Sequence, residues 1–173
     1  MIRRPPRSTQ GVSSAASDVY KRQRLSLSKE FGADFLINSN LEKDLTTEIK
    51  RITEERGADY VIEVTGTPKV ISDGIKFLRI GGTYILLGAI YPDSNLTIDS
   101  SEIITKCLNI SGMHNYDPVY LQKAIELVQK SKHKYPFRKI VDPVFDFTKQ
   151  GLEDAFNSLN SKKSLRPAIR PSL

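Results

Sequence analysis

The fold is decided by one stretch, Gly57-Ala-Asp-Tyr-Val-Ile-Glu-Val-Thr-Gly-Thr-Pro68. Its centre, Tyr60-Val-Ile-Glu-Val64, is short and rich in β-branched residues, which is typical of a strand buried in a parallel sheet. Thr67 and Pro68 then suit the N-cap and the first position of a helix. Proline is favoured at that first position because the amide hydrogen that it lacks would have no partner within the helix. The stretch therefore predicts a strand, a tight turn and a helix.

Upstream of this stretch, helix and strand patterns alternate in the same way. Residues 24–31 predict the end of a helix, and residues 34–37 predict a short strand. Residues 44–56 predict a second helix, with Asp44 as its N-cap and Gly57 just beyond its end.

Downstream of the stretch, the alternation continues almost to the end of the chain. The helix after Pro68 is expected to bury Ile71, Ile75 and Leu78, and Gly81-Gly82 predict a tight turn before the next strand. The remaining predicted elements are a strand at 84–88, a helix at 101–106, a strand at 108–112, an amphipathic helix from Asp117 with Leu121, Ala124, Ile125 and Val128 on one face, a strand at 140–147 interrupted by Pro143, and a helix capped by Thr148 that buries Leu152, Ala155, Phe156 and Leu159. This order predicts right-handed βαβ units around a parallel sheet.

Composition excludes several classes of function. The formal net charge is +6, but five basic residues and one acid fall in 1–23, which leaves 21 basic and 19 acidic residues in the other 150. These charges alternate along the predicted helices, so we expect neither a nucleic-acid partner nor a membrane partner. No apolar run approaches the ~20 residues that span a bilayer. The single cysteine indicates a reducing compartment, and the cytoplasm is the expected location.

The first 23 residues differ from the rest of the chain. Ser13-Ser-Ala-Ala-Ser-Asp-Val-Tyr-Lys-Arg-Gln23 matches the in-frame translation of a transposase-type sequencing adapter, and residues 1–9 match the flow-cell end of the same adapter. A signal or transit peptide is the alternative, because the segment is basic and serine-rich, but it lacks the apolar core of a secretory signal. We therefore expect residues 1–23 to be a disordered, translated adapter artefact, with the biological chain beginning at about Arg24.

Three predicted strand ends carry glycine. They are Gly66 in the quoted stretch, Gly88 before Ala89, and Gly112 after Ser111. Parallel α/β sheets bind ligands at the carboxyl ends of their strands, and glycine lets a ligand approach the backbone closely. Each turn alone is typical of any strand-to-helix connection, whereas three at the same end of consecutive strands indicate one extended ligand.

Three stretches together resemble the zinc-type medium-chain alcohol dehydrogenase superfamily. They are Arg24-Leu-Ser-Leu-Ser-Lys-Glu-Phe-Gly-Ala-Asp34, residues 57–66, and Leu78-Arg-Ile-Gly-Gly-Thr-Tyr-Ile-Leu-Leu-Gly88, within a resemblance that covers 24–173. The resemblance implies an α/β fold, an incomplete Rossmann-type doubly wound parallel sheet whose first two strands are missing. Residues 24–139 would be this partial dinucleotide-binding domain. Residues 140–173 would be the strand and helix that return to the lost catalytic domain.

The resemblance also implies which residues bind NAD or NADP. Thr65 and Gly66 would lie beside the adenosine ribose. Gly88, Ala89 and Ser111 would offer backbone groups near the nicotinamide ring and its carboxamide. The resemblance further implies that Arg166, in Lys-Lys-Ser-Leu-Arg, lies toward the pyrophosphate.

Three parts of the family pattern have no counterpart in this sequence. The glycine-rich phosphate turn and the acidic residue for the ribose would lie upstream of Arg24, as would the catalytic domain with its zinc ligands. No catalytic or metal-binding residue is therefore assigned. Cys107 is expected to be small and buried and His133 exposed, while His114 is expected to be a core or surface residue near the nicotinamide end.

The predicted function is that of a fragment of an NAD(P)-dependent alcohol or polyol dehydrogenase. Hydride would pass between the alcohol and the cofactor, and zinc in the intact parent would polarise the oxygen. The alternatives are a zinc-free quinone or enone reductase of the same superfamily and a stand-alone nucleotide-binding module. Expected partners are a small alcohol or carbonyl substrate and, for the parent, further copies of itself. The fragment is expected to be inactive and poorly soluble, because the strand at 60–64 would lack a neighbour on one edge.

Overall fold

The computed structural model describes residues 22–38, 42, 44–88, 90, 92–160 and 165–171. The predictions for residues 1–21 and for Ala89 lie outside the described residues. The elements are α1 (Arg22–Glu30), α2 (Leu45–Ile52), β1 (Ala58–Glu63), α3 (Pro68–Gly74) with a 3-10 turn at Ile75–Phe77, β2 (Leu78–Leu86), α4 (Ser100–Thr105), β3 (Asn109–Gly112), α5 (Val119–Ser131), a 3-10 turn at Phe137–Ile140, β4 (Val144–Asp146), α6 (Lys149–Asn160) and β5 (Ala168–Arg170). α1 thus includes Arg22 and Gln23, the last two residues of the segment 1–23 that was predicted to be disordered.

Contacts between residues divide the chain into two compact units, Met1–Tyr116 and Asp117–Leu173. The predicted boundary between residues 139 and 140 falls inside the second unit. Among the described residues, none of the helices combines the length and the apolar character that a bilayer crossing requires.

The first unit contains a parallel sheet in the order β1-β2-β3. β1 pairs with β2 up to Glu63 opposite Leu86, and β2 pairs with β3 up to Leu86 opposite Gly112. The carboxyl ends of the three strands therefore meet at one edge of the sheet. The predicted α/β class with a parallel sheet is confirmed.

Helices cover one face of this sheet. Ile71 in α3 and Ile75 in the 3-10 turn that continues it are buried, as the sequence predicted for the helix after Pro68. Leu78 is buried too, but it is the first residue of β2 and not part of the helix, because the helical turns end at Phe77. Two apolar clusters fill the core: Ile75, Leu78, Tyr84 and Leu108 with Val61, Leu86, Leu96, Ile98 and Ile103 around them, and Ile37, Ile49 and Phe77 with Leu45, Ile52 and Val61. On the other face of β1, Tyr60 and Ile62 are exposed. Alternate residues of a strand face opposite sides, so Val61 and Glu63 point into the covered side.

The helix predicted at 44–56 begins as expected and ends early. Asp44 caps α2, because its carboxylate accepts hydrogen bonds from the Thr47 amide at 3.1 Å and the Thr47 hydroxyl at 2.5 Å. The Thr53 hydroxyl donates to the Ile49 carbonyl at 2.7 Å. The next residues, Glu54 and Glu55, have φ of 53° and 60°, which a helix cannot continue through.

Two other local predictions were wrong. Residues 34–37 form no strand; Phe35 makes an isolated bridge, and Ile37 packs into the core beside Ile49. A strand requires a continuous ladder with a neighbour, and the apolar pattern alone does not supply one. Gly81-Gly82 lie inside β2 instead of before it, where the pairing with β1 slips between Ala58 and Tyr60. Gly81 has φ of 71°, which glycine tolerates at such an irregularity.

The second unit pairs β4 with β5 in parallel, and α6 packs against both strands. The strand predicted at 140–147 is shorter than expected, because residues up to Ile140 form a 3-10 turn and the ladder begins only after Pro143. Thr148 caps α6 as predicted, with its hydroxyl accepting from the Gly151 amide at 3.0 Å. Ala155 is buried as predicted. Three residues predicted to be buried are exposed, because the short β4–β5 sheet covers little of the helix: Leu152, Phe156 and Leu159.

Candidate functional site

The candidate site is the edge where β1 and β2 end. The Glu63 carbonyl accepts hydrogen bonds from two successive amides after β2, Leu87 at 2.9 Å and Gly88 at 3.0 Å. The Met113 amide after β3 donates to the Leu86 carbonyl at 3.0 Å. The turns that follow the three strands are thus tied to one another through main-chain groups.

A buried carboxylate lies beneath the turn after β1. Glu63 is 3% exposed, and its Oε1 accepts from the Thr65 amide at 2.5 Å, the Thr65 hydroxyl at 2.6 Å and the Gly66 amide at 2.8 Å. The Thr65 hydroxyl also accepts from the Thr67 amide at 3.1 Å. These hydrogen bonds between groups close in sequence fix the path of the chain into α3.

Gly88 lies directly against this turn. A Cβ atom at Gly88 would overlap the Thr65 nitrogen and the Val64 carbonyl carbon, and it would come within 2.7 Å of the Gly66 nitrogen. Gly66 itself has φ of 69°, in the left-handed region that favours glycine. The two glycines let the main chains after β1 and β2 approach each other more closely than larger residues allow.

The loop after β2 and the helix α3 support the turn from two other sides. The Ser94 hydroxyl donates to the Gly66 carbonyl at 3.1 Å. Beneath α3, the fully buried Tyr84 donates its hydroxyl to the Ile71 carbonyl at 2.7 Å. Gly74 makes room for this ring, because a Cβ there would come within 2.5 Å of the Tyr84 oxygen.

Burial raises the pKa of the Tyr84 hydroxyl, and the negative charges of Glu63 and Asp73 raise it further. The hydroxyl therefore stays protonated at neutral pH and keeps the hydrogen that it donates to the Ile71 carbonyl. Tyr84 serves the packing of α3 on the sheet, because its single polar atom is already satisfied by the helix.

The structure brings together three of the six residues predicted to bind the cofactor. Thr65, Gly66 and Gly88 lie in mutual contact. Ser111 is exposed on β3, where it pairs with Ile85 of β2. Ala89 lies outside the described residues, and the exposed Arg166 belongs to the second unit, just before β5.

Sequence reasoning missed two residues that shape the site, Glu63 and Ser94. The signal for Glu63 was a lone carboxylate in an apolar strand, with a threonine and a glycine two and three positions later. Ser94 carried no local signal, since it lies 28 residues from its partner Gly66.

The cysteine and the histidines add nothing to this edge. Cys107 was predicted to be buried and is exposed, since φ of 51° places it in a tight turn between α4 and β3. His114 is exposed, and His133 is exposed as predicted. Within the described part of the chain, no three His, Cys, Asp or Glu side chains gather where a metal ion could be held, so no zinc-dependent step is assigned to these residues.

Parallel strands with glycine-lined carboxyl ends define a Rossmann-like nucleotide-binding class of domain. Residues 16–130 match the family described as zinc-binding dehydrogenase. The chain belongs to this family, and its resemblance to the zinc-type alcohol dehydrogenases is confirmed at that level.

Individual relatives agree with this assignment. L-threonine 3-dehydrogenase of Pyrococcus horikoshii is 32% identical over 148 residues, which cover 82% of this chain and 39% of that protein. D-xylulose reductase of Saccharomyces cerevisiae is 30% identical over 130 residues, or 69% of this chain and 36% of the relative. The chain thus spans about two fifths of the length of these proteins.

Solved structures agree in fold. The alcohol dehydrogenase zinc-binding domain protein from Burkholderia ambifaria superposes with a TM-score of 0.74 at 30% identity, covering 87% of this chain and 40% of that one. Alcohol dehydrogenase from Thermotoga maritima has a TM-score of 0.78 over 88% of this chain and 41% of its own, and at 23% identity it supports the fold alone.

Proposed function

We propose that this chain is the nucleotide-binding part of an NAD(P)-dependent alcohol or polyol dehydrogenase. The observation that carries the proposal is the close approach of Gly88 to the Thr65-Gly66 turn, at the sheet edge where such folds bind a dinucleotide. Membership of the zinc-binding dehydrogenase family supports the same conclusion. Two of the relatives are named as a threonine dehydrogenase and a xylulose reductase, which favours an alcohol or polyol dehydrogenase over a zinc-free quinone or enone reductase.

In this proposal the cofactor lies across the carboxyl ends of the strands. Thr65 and Gly66 bind beside the adenosine ribose. Gly88 and Ser111, together with Ala89, present main-chain groups to the nicotinamide and its carboxamide. Arg166 is proposed for the pyrophosphate on resemblance alone. These residues bind and orient the cofactor, and no proton transfer is assigned to them.

The nicotinamide supplies the hydride chemistry when it is bound, and in the family zinc polarises the substrate oxygen. The contribution of this chain is to fix the orientation of the ring by rigid main-chain groups. A preorganised site of this kind accelerates hydride transfer by positioning, without a reactive side chain of its own.

Cofactor binding tests the proposal directly. We expect NADH or NADPH to bind the full chain, with Gly88→Ala weakening the affinity by roughly tenfold or more, because its Cβ would overlap the backbone of the Thr65 turn. Lys76→Ala is the control, since its exposed ion pair with Asp73 lies outside the candidate site. Titration by nicotinamide fluorescence measures both variants. The proposal fails if neither reduced cofactor binds, or if Gly88→Ala and Lys76→Ala bind equally.

We also propose that residues 1–23 are a translated adapter and that the native reading frame continues upstream of Arg24. On this proposal the chain lacks dehydrogenase activity, whereas the complete protein oxidises an alcohol in the presence of zinc and NAD or NADP, as a cytoplasmic oligomer. Sequencing the native locus tests the first part. Native genomic DNA that encodes residues 1–23 would contradict it, and turnover of alcohols by the present chain would contradict the second.

A further inference from the structure

Glu63 is the least expected group at the sheet edge. A buried carboxylate is costly unless it is paired or hydrogen-bonded, and no cation pairs with Glu63 among the residues that the structure describes. Its Oε2 is buried and has no hydrogen-bond partner in the same part of the chain. All three of the bonds that compensate its burial converge on Oε1.

Those three bonds hold one turn in one conformation. Oε1 accepts from the Thr65 amide, the Thr65 hydroxyl and the Gly66 amide at 2.5, 2.6 and 2.8 Å. The turn they enclose contains Gly66 in the left-handed region, a conformation that a free chain would hold only part of the time. Hydrogen bonds to an ionised acceptor are stronger than those to a neutral one, so a carboxylate suits this role.

The main chain of the same residue holds the neighbouring turn. The Glu63 carbonyl accepts from the Leu87 and Gly88 amides at 2.9 and 3.0 Å. One residue therefore ties the segment after β1, by its side chain, to the segment after β2, by its backbone. This arrangement brings Gly88 against Thr65 and Gly66.

We propose that Glu63 is a positioning residue that fixes the Thr65-Gly66 turn in the shape required to receive a dinucleotide. The consequence for the ligand rests on the function proposed above, whereas the effect on the turn does not. Glu63 acts through the backbone of the turn and touches neither the cofactor nor the substrate.

Amide hydrogen exchange in the full chain tests the effect on the turn. Glu63→Met has similar volume and no acceptor, so we expect the protection of the Thr65 and Gly66 amides to fall by about tenfold or more, with the Ile85 amide unchanged. Glu63→Gln keeps one acceptor oxygen and should stay within about threefold of the native protein. Ile62→Met is the matched control on the opposite face of β1. Unchanged protection in Glu63→Met overturns the proposal, as does an equal loss at Ile85.

A second variant covers the case in which Glu63→Met does not fold. Thr65→Val removes the hydroxyl that donates to Oε1 and accepts from the Thr67 amide, and we expect faster exchange at Gly66 by roughly threefold, because one of the three bonds to the oxygen is lost. Exchange at Gly66 identical to that of the native chain contradicts the proposal.

Titration with NADH or NADPH tests the consequence for the ligand. Affinity should fall by about tenfold or more in Glu63→Met and by less than about threefold in Glu63→Gln and Ile62→Met. Equal affinity in Glu63→Met and native protein overturns the proposed role. If the native chain binds no reduced cofactor, the proposed function fails, and the exchange rates at Thr65 and Gly66 still decide whether Glu63 fixes the turn.

Discussion

Single side chains in this protein take part in networks that join distant stretches of sequence. The hydroxyl of Tyr84, near the carboxyl end of β2, donates to the Ile71 carbonyl of α3. We expect Tyr84→Phe to lower the free energy of unfolding by about 1–2 kcal/mol, because the buried carbonyl loses a partner while the ring still packs. Urea denaturation measures the change. Lys76→Ala, which removes an exposed ion pair with Asp73, is the control and should change stability by less than about 0.5 kcal/mol.

Asp59 makes the clearest pH-dependent contribution. Partial burial opposes its ionisation, but hydrogen bonds from Arg79 and Arg56 outweigh burial and lower the pKa of its carboxyl below the usual value. A lowered folded-state pKa stabilises the fold above the unfolded pKa of about 3.9, and this stabilisation is lost as the pH falls through the folded value. We expect Asp59→Asn to be less stable than the native chain at pH 7, with the gap closing below about pH 4. A gap as large at pH 2.5 as at pH 7 in urea denaturation contradicts this account.

Among the elements, α2 depends most visibly on its cap. The Asp44 carboxylate satisfies the Thr47 amide at the start of an eight-residue helix, and α2 buries Ile49. We expect Asp44→Ala to destabilise the chain by about 1 kcal/mol, whereas Asp44→Ser should retain most of the capping. Thermal denaturation followed by circular dichroism ranks the three proteins. Equal melting temperatures for Asp44→Ala and the native chain would show that the cap contributes little.

β1 has a strand neighbour on one side only within the described residues, and its open face is apolar. Tyr60 is 67% exposed and Ile62 is 48% exposed. Such a strand promotes association with other chains. We expect Ile62→Lys to increase the monomer fraction in sedimentation velocity, because a charge at the edge disfavours pairing. Leu127→Lys, on the exposed face of α5, is the control, and an equal effect there would show that β1 is not responsible.

At the scale of the whole molecule, the sequence predicted the class of fold because its signals were local and repeated. Tyr60 to Val64 and Thr67-Pro68 determine a strand and a helix within a dozen residues, and a second apolar strand ends just before Gly88. The grouping of Thr65, Gly66 and Gly88 followed from a general property of parallel sheets, whose strand ends share one edge. Those predictions needed no knowledge of which side chains touch.

The predictions that failed depended on contacts between distant parts of the chain. Residues 34–37 have the apolar pattern of a strand, but a strand forms only with a partner. The sequence predicts a turn at Gly81-Gly82, whereas in the structure these residues lie within β2, at an irregularity in its pairing with β1. Ser94 reaches Gly66 through a loop whose path no local pattern encodes. The three hydrogen bonds to Glu63 could not be predicted either, because the sequence does not show how the carboxylate of an acidic residue at the end of a strand is oriented.

The solitary thiol of Cys107 gives this protein a ready means of observation. It is exposed in the turn before β3, at the end of the sheet opposite the strand termini that line the candidate site. A maleimide dye attached there would label one known position without mutagenesis. Energy transfer from reduced nicotinamide to that dye would then report where on the sheet a bound dinucleotide sits.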